Sequence, residues 1–386
     1  MIIGFDTLGE DPHSPTSAIN YLTEFIDHFS GSKKHTIILF GSTSNRKLFT
    51  KSHNIKFVNC HFSNENVIMR ILAQQIFLPI YTLLFKVDIL FSPLNSTSIF
   101  SFAPVVLKVN TLHHLHFESN RKQNIKTRFI DRLRKFYRYI FFDLSIRKAE
   151  LIIANTNYTK NEIIKYYNVD SKKVDVIMEA SGELFGKYDK VFSKKYIKEK
   201  FNIDFKYIIY PAAFWDYKNH RGALESFHIF KRSDTSKIKM LFVGRDEEGI
   251  KKEIVDMAIN YRIEKDILCI DYVNIDEVVH LINAAEILFF PSKMETFGKP
   301  IVEAMISNTP VVASNNSSIP ELLSKTDYLC KPNDYKSFAK KLNFLINESD
   351  KQYINDNFKK AINFTYKNSF KHLDSSFYKV ESSKKC

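Results

Sequence analysis

Residues Pro291–Leu322, P-S-K-M-E-T-F-G-K-P-I-V-E-A-M-I-S-N-T-P-V-V-A-S-N-N-S-S-I-P-E-L, carry two glutamates, Glu295 and Glu303, with seven residues between them. The apolar run Ile287-Leu-Phe-Phe290 ahead of them, closed by Pro291 and Ser292, reads as a buried strand. Behind them Pro300-Ile-Val-Glu-Ala-Met opens a helix, with proline suited to the first helical position, and Val311-Val-Ala-Ser314 is the next strand. Glu295 then lies on a loop at the C-terminal edge of a strand, and Glu303 in the first turn of the helix behind it. That edge is where open α/β sheets bind ligands. The N–H groups of Thr296, Phe297, Gly298 and Lys299 lead into a helix N-terminus that can hold anionic or hydroxyl oxygens. Two carboxylates beside such donors suit a ligand rich in both hydroxyls and phosphate, such as a nucleotide sugar. Glu303 alone could be a helix-start carboxylate favoured by the macrodipole, but that leaves the Glu295-Thr-Phe-Gly298 loop unexplained.

Outward from this segment, strand-like and helix-like stretches alternate along the chain, the pattern of parallel sheets with helices on both faces. Strands are expected at Ile2–Phe5, Thr36–Phe40, Lys56–Asn59, Asp88–Phe91, Val105–Val109, Leu151–Ala154 and Val174–Met178. A second series follows at Tyr207–Tyr210, Met240–Val243, Ile267–Ile270, Ile287–Phe290, Val311–Ala313 and near Tyr328. Helices are expected between them, among them Ser17–Phe29, Glu65–Phe85 and Arg221–Lys231. The segment Ala180-Ser-Gly-Glu-Leu-Phe-Gly-Lys, with two of only ten glycines, is the expected link between the series. At 386 residues the chain is too long for one ordinary core and suits two α/β domains.

A second cluster, Tyr210-Pro-Ala-Ala-Phe-Trp-Asp-Tyr-Lys-Asn-His220, joins a strand to a helix. Lys218 and Asn219 sit at that helix start, where a cation and backbone N–H groups can converge on phosphate. Arg245 follows the next strand, where a ligand role and a solvated side chain are equally open. Tyr272 and Val273, after the strand beyond, join the candidate set. In the first half, Val109-Asn-Thr-Leu-His-His-Leu-His-Phe117 follows a strand and offers His114. A metal cluster of His113, His114 and His116 is the weakest reading there, because no carboxylate or cysteine stands at useful spacing.

Composition narrows the classes. The formal net charge is +13, from 56 Lys+Arg against 43 Asp+Glu; this points to an anionic partner, whether nucleic acid, phosphorylated ligand or anionic lipid. Cys60, Cys269, Cys330 and Cys386 form no CxxC pair and read as reduced thiols. G-x-G-x-x-G, G-x-x-x-x-G-K-[ST] and D-x-D are all absent, which excludes the ordinary dinucleotide fingerprint and P-loop. Asp246-Glu-Glu reads as an acidic helix start. No secretory leader is expected at Met1-Ile-Ile-Gly-Phe-Asp6. The near-apolar run Ile76–Phe85 is too short to span a bilayer. From Asn120 to Lys148 a basic stretch carries Ile125, Phe129, Leu133, Phe136, Ile140 and Leu144 at helical spacing. Such a stripe is expected to pack on the sheet, with its basic rim left to attract anionic lipid.

The run around Glu295 and Glu303 resembles the E-x(7)-E motif of family 4 retaining glycosyltransferases, and the cluster at Lys218 resembles the F-W-x-x-K-N-H variant of a mannosyltransferase-like branch of that family. The resemblance implies the GT-B fold: α/β, two Rossmann-like domains facing a central cleft. It sets the acceptor domain at 1–182, the donor domain at 183–366, and a helix crossing back at 367–386. In the family the residue matching Glu295 touches the donor sugar, the one matching Glu303 holds the ribose, and the one matching Lys218 contacts the diphosphate. Family members outside the branch carry an arginine near the position of Ala212; Arg245 is the candidate substitute. The acceptor-side histidine does not carry over, since Asn110 and Thr111 stand where a His-Asp pair usually lies, and His114 is taken in its place. The resemblance implies hexose transfer, mannose from GDP-mannose favoured, onto a glycan or lipid-diphosphate-linked acceptor in bacterial surface polysaccharide synthesis. No cofactor or metal ion is expected, with the nucleotide sugar a substrate. A cytoplasmic protein held peripherally at an anionic membrane through Lys122, Lys126, Arg128, Arg132, Arg134 and Lys135 is expected, with no nucleic-acid partner. A catalytically silent nucleotide-sugar- or glycan-binding protein and a basic nucleic-acid-binding protein are the alternatives.

Overall fold

The computed structural model describes residues 1–8, 17–30, 34–43, 46, 55–60, 67–112, 129–182, 184–233 and 236–383, with the backbone alone at 17–20, 30, 67–68 and 129–138. His114 and the basic residues Lys122, Lys126 and Arg128 lie outside the described residues, as do the side chains of Arg132, Arg134 and Lys135. The chain divides into two compact units, Met1–Met178 joined by Tyr366–Cys386, and Glu179–Thr365.

The first unit is built on strands β1 Ile2–Asp6, β2 Thr36–Gly41, β3 Ile55–Asn59, β4 Ile89–Ser92, β5 Val105–Val109, β6 Leu151–Ala154 and β7 Val174–Val176. They pair in the order β3-β2-β1-β4-β5-β6-β7, all parallel. The helix Tyr366–Ser383 returns to this unit. Its Phe370 and Phe377 rings lie 5.5 Å from those of Phe25 and Phe91, and its Asp374 pairs with His35 Nε2 at 2.7 Å. In the helix Phe129–Lys148 the inward face of the described end is Phe142, Ser145 and Ile146, all buried, with the buried Ala149 just beyond it, while Leu144 is exposed. Of the expected stripe, Leu144 lies off that face, while Ile125, Phe129, Leu133 and Phe136 have side chains outside the described residues. Every side of this helix end offers an apolar residue, and the face chosen lets the Ser145 hydroxyl accept from Thr97 N and donate to Phe141 O.

The second unit holds β8 Tyr207–Pro211, β9 Lys239–Val243, β10 Ile267–Ile270, β11 Ile287–Phe290, β12 Val311–Ser314 and β13 Leu329–Cys330. These pair in the order β10-β9-β8-β11-β12-β13, again all parallel. Strands covered by helices on both faces are apolar throughout rather than alternating; Ile287–Phe290 is buried at every residue. The order reverses between β8 and β11, where Ile287 pairs with Ile208 and Leu288 with Ile209. Loops leaving those two neighbours diverge to opposite sides and open a crevice at their C-terminal ends. Both candidate clusters leave the sheet there.

Candidate functional site

Glu295 and Lys218, 77 residues apart, meet at this reversal. The Lys218 ammonium donates to Glu295 Oε1 at 2.6 Å, and the two side chains are only 14% and 10% exposed. Lys218 ends a single 3-10 turn, Asp216–Lys218, closed by its N–H on Trp215 O at 2.9 Å. The Tyr210 hydroxyl donates to Lys218 O and fixes the turn to β8. The ammonium also lies 5.1 Å from the Tyr217 ring and 5.6 Å from that of Phe290. Apolar walls raise the strength of any charge interaction made between them.

The loop bearing Glu295 is held by hydroxyl groups. The Glu295 N–H donates to Ser317 Oγ at 2.8 Å, and the buried Ser318 hydroxyl lies 2.9 Å from both Glu295 O and Phe297 O. Ser314 donates to Ser292 O, and Asn316 to Lys293 O. These residues are the end of β12 and the turn Asn315-Asn-Ser-Ser318 after it, whose composition signals a turn but not the loop it would clamp. The helix behind Glu295 runs Lys299–Ile306, with Gly298 as its N-cap at φ +102, a left-handed conformation suited to glycine. Pro300 takes its second position rather than the first, since Lys299 is already helical.

Glu303 lies one turn in and is buried. Burial pushes its carboxyl up to about 7, against a lowering pull from Lys299. The Phe297 side chain is buried against Phe364 at 6.1 Å, which leaves the role expected of its N–H untouched, and Val273 is buried as well. The Asn219 side chain has a structural task. Its Nδ2 donates to Pro291 O and Pro332 O, both at 3.0 Å, and the residue is buried at φ +61 as the cap of the helix His220–Lys231. It ties the Lys218 turn to the Glu295 loop instead of presenting an amide to a ligand. His220, stacked on Phe214 and Tyr210 with centroids 4.3 and 4.8 Å away, is held neutral by burial, its pKa lowered to about 3.

Arg245 and Tyr272 form a second pair at the ends of β9 and β10, with the guanidinium 4.3 Å from the Tyr272 ring. Arg245 O accepts from Phe214 N at 2.8 Å, which joins this strand exit to the Lys218 loop. Asp246 Oδ1 and Oδ2 accept from Ile250 N and Lys251 N, so the acidic run does serve a helix start. Among the described residues no group of three His, Cys, Asp or Glu side chains is placed to hold a metal ion.

In the first unit Asn110 and Thr111 lie at the end of β5. Asn110 Nδ2 donates to Pro93 O at 2.6 Å and its Oδ1 accepts from the buried Lys108, so this side chain braces the strand exit. Asp6, at the end of β1, is a titratable group that the sequence reading passed over. Burial raises its pKa to about 6, opposed by a hydrogen bond from Gln74 Nε2 at 2.7 Å.

Known proteins match along most of the chain. The family described as Glycosyltransferase Family 4 matches residues 20–178, and that described as Glycosyl transferases group 1 matches residues 193–361. O-antigen chain mannosyltransferase RfbU of Salmonella typhimurium is 27% identical over 208 residues, 53% of this chain and 54% of that protein. O-antigen chain mannosyltransferase B of Escherichia coli is 25% identical over 207 residues, 50% of this chain and 51% of that protein. The chain thus spans about half the length of these curated relatives. HepE of Anabaena, solved with UDP and glucose, superposes with a TM-score of 0.72 at 15% identity, covering 98% of this chain and 100% of that one. The chain belongs to glycosyltransferase family 4, and its two parallel-sheet units are the two Rossmann-like halves of the GT-B fold.

Proposed function

We propose that the protein is a retaining glycosyltransferase that moves a hexose, mannose from GDP-mannose favoured, onto a glycan or lipid-linked saccharide in bacterial surface polysaccharide synthesis. The observation that carries the reading is the Lys218–Glu295 pair at the β8/β11 reversal, beside the helix that starts at Lys299. The names of RfbU and mannosyltransferase B favour mannose and an O-antigen product. In the free protein Lys218 and Glu295 satisfy each other. A bound donor would part them, with the ammonium turning to the diphosphate and the carboxylate to the sugar hydroxyls. In the reaction the bond between the sugar's anomeric carbon and the diphosphate oxygen breaks. The acceptor hydroxyl oxygen bonds that carbon from the same face, and its proton passes to the departing phosphate. Lys218 and the helix amides stabilise the charge that develops there. Arg245 supplies a second cation, and the first unit supplies the acceptor contacts, with His114 the candidate.

Metal independence belongs to this reading, since protein cations and amide dipoles carry the diphosphate charge. Initial rates are expected to stay within about twofold on adding EDTA, and a strict requirement for Mg²⁺ or Mn²⁺ would overturn the assignment of that charge to Lys218.

Glu303 gives the reading a pH signature. A carboxyl whose pKa rises from 4.5 to about 7 on folding costs stability that appears as pH climbs past 4.5 and is complete above 7. Glu303→Gln is therefore expected to stabilise the free protein at pH 8, by on the order of 3 kcal/mol at most, and to leave it unchanged near pH 4. If the ionised carboxylate accepts from ribose hydroxyls, donor affinity rises with pH through about 7. The glutamine variant flattens that rise, as calorimetry across pH would record. A wild-type affinity independent of pH would remove Glu303 from the donor site.

A further inference from the structure

We propose that the outer face of the helical segment from Val67 to Leu84, with Phe100 and Phe102 beside it, inserts into the surface of an anionic bilayer. The proposal rests on the reading above only in expecting a lipid-borne acceptor. This segment is apolar on both faces: Ala73 and Leu78 pack into the core, yet a second set of apolar side chains faces outward. Gln74, Gln75 and Thr82 are buried, whereas Met69, Ile76, Ile80, Leu83 and Leu84 are 38–67% exposed. A helix on the surface of a water-soluble unit ordinarily turns polar residues to that outer side. Its buried polar groups are well satisfied. Gln74 donates to Asp6 Oδ2 at 2.7 Å, Gln75 donates to Thr97 O at 3.1 Å, and Gln75 Oε1 accepts from Ile99 N at 2.9 Å. A π turn at Ala73–Phe77 accommodates the two adjacent inward glutamines.

The bonds from Gln75 bring the Thr97–Ala103 loop against the helix. That loop is held by Ser101, whose N–H reaches Ser98 O and whose hydroxyl donates to Ala103 O. Phe100 and Phe102 stand out from it, 66% and 69% exposed. Contiguous apolar surface of this kind marks an interaction site.

Charge selects lipid as the occupant. From Val67 to Leu112 the one acidic residue is Asp88, whose carboxylate accepts from Ile2 N, against Arg70 and Lys86; the third basic residue, Lys108, is buried. Lys86 is exposed just past Leu84, and the exposed Lys56 places its ammonium 4.2 Å from the Phe85 ring. An apolar ridge with aromatic tips and a basic flank is complementary to anionic headgroups over acyl chains. A second copy of the same face would set basic flank against basic flank.

The test is sedimentation with vesicles of phosphatidylcholine alone or mixed equally with phosphatidylglycerol. Wild-type protein is expected to pellet with the mixed vesicles, and the triple variant Ile80→Glu, Leu84→Glu, Phe102→Glu to partition at least about tenfold less. Its melting temperature, and any rise in that temperature on adding nucleotide, should be unchanged, since all three positions are exposed. A Phe102→Trp variant should show blue-shifted emission, above the Trp215 background, that lipids with brominated chains quench. Wild type left in the supernatant, or a triple variant that pellets equally, would overturn the proposal. So would a wild type whose dimer is lost in the triple variant with vesicle binding intact, which would make the face a self-interface. Vesicle binding by a protein that shows no nucleotide shift would support this surface and overturn the donor reading alone.

Discussion

Alanine at Lys218 or at Glu295 is expected to lower sugar transfer by roughly 10²–10³-fold, the usual cost of deleting one preorganised group that stabilises transition-state charge. The pair complicates the reading of either variant. Each side chain is the other's partner at 2.6 Å in a site mostly shielded from water. Removing one leaves an unpaired charge whose desolvation alone destabilises the protein, by up to about 3–5 kcal/mol if burial were complete and by less at this exposure. Thermal melts must therefore accompany rates. If the pair were only structural, the double alanine variant would recover stability and activity together. If the two groups act on the donor, the double variant recovers stability while transfer stays lost. Lys218→Arg offers a finer probe: it keeps the charge, but the planar guanidinium does not replace an ammonium lodged between the Tyr217 and Phe290 rings. Full transfer in either single alanine variant would sink the site assignment.

Much of this arrangement could be read from the chain because parallel strands covered on both faces leave a strong local trace. Ile287–Phe290 is a continuous apolar run, and Val105–Val109 is one interrupted only by the buried Lys108; each is placed to the residue by composition and the proline or polar residue that follows. The same logic put Glu295 and Lys218 on one sheet edge. What it could not supply was contact, since β8 and β11 become neighbours only through the strand order. Nor does a side chain's type say which way it turns. Asn219 occupies a motif position, yet its amide ties two loops together. Phe297, proposed for the donor through its N–H, turns its side chain to the core. The helix from Val67 is expected but its exposed apolar face is not, for a related reason: periodicity identifies an apolar stripe without saying whether the protein or another phase covers it. Phe129–Lys148 shows the limit most plainly, because a helix end apolar on every side can pack through any of them, and hydrogen bonds from Ser145 accompany the choice made.

Gly244→Ala is expected to damage the same site without touching a charged residue. A Cβ there would stand 2.2 Å from Ala212 O, 2.6 Å from Ala212 C and 2.9 Å from Ala213 N. All three are backbone atoms, so no side chain can swing away. The backbone itself is pinned on both sides: Ala212 N donates to Val243 O, Phe214 N to Arg245 O, and Gly244 N to Ile270 O, at 2.8–3.0 Å. Relief requires breaking at least one of these bonds and displacing the Pro211–Phe214 stretch. Overpacking typically costs 1–3 kcal/mol and here should reach the upper end, about 3 kcal/mol or roughly 6–12 °C in the melting temperature of a unit this size. Displacement would propagate, since Phe214 stacks on His220 and the same loop runs on to Lys218. Donor KM should therefore rise along with the loss of stability, and the Arg245–Tyr272 pair should loosen because Arg245 is the next residue. Gly182→Ala is the control, for a Cβ there meets nothing within 4 Å, and neither stability nor transfer should change. A Gly244→Ala protein with wild-type melting temperature and wild-type donor KM would mean that the close approach of β8 and β9 does not hold the Lys218 loop in place.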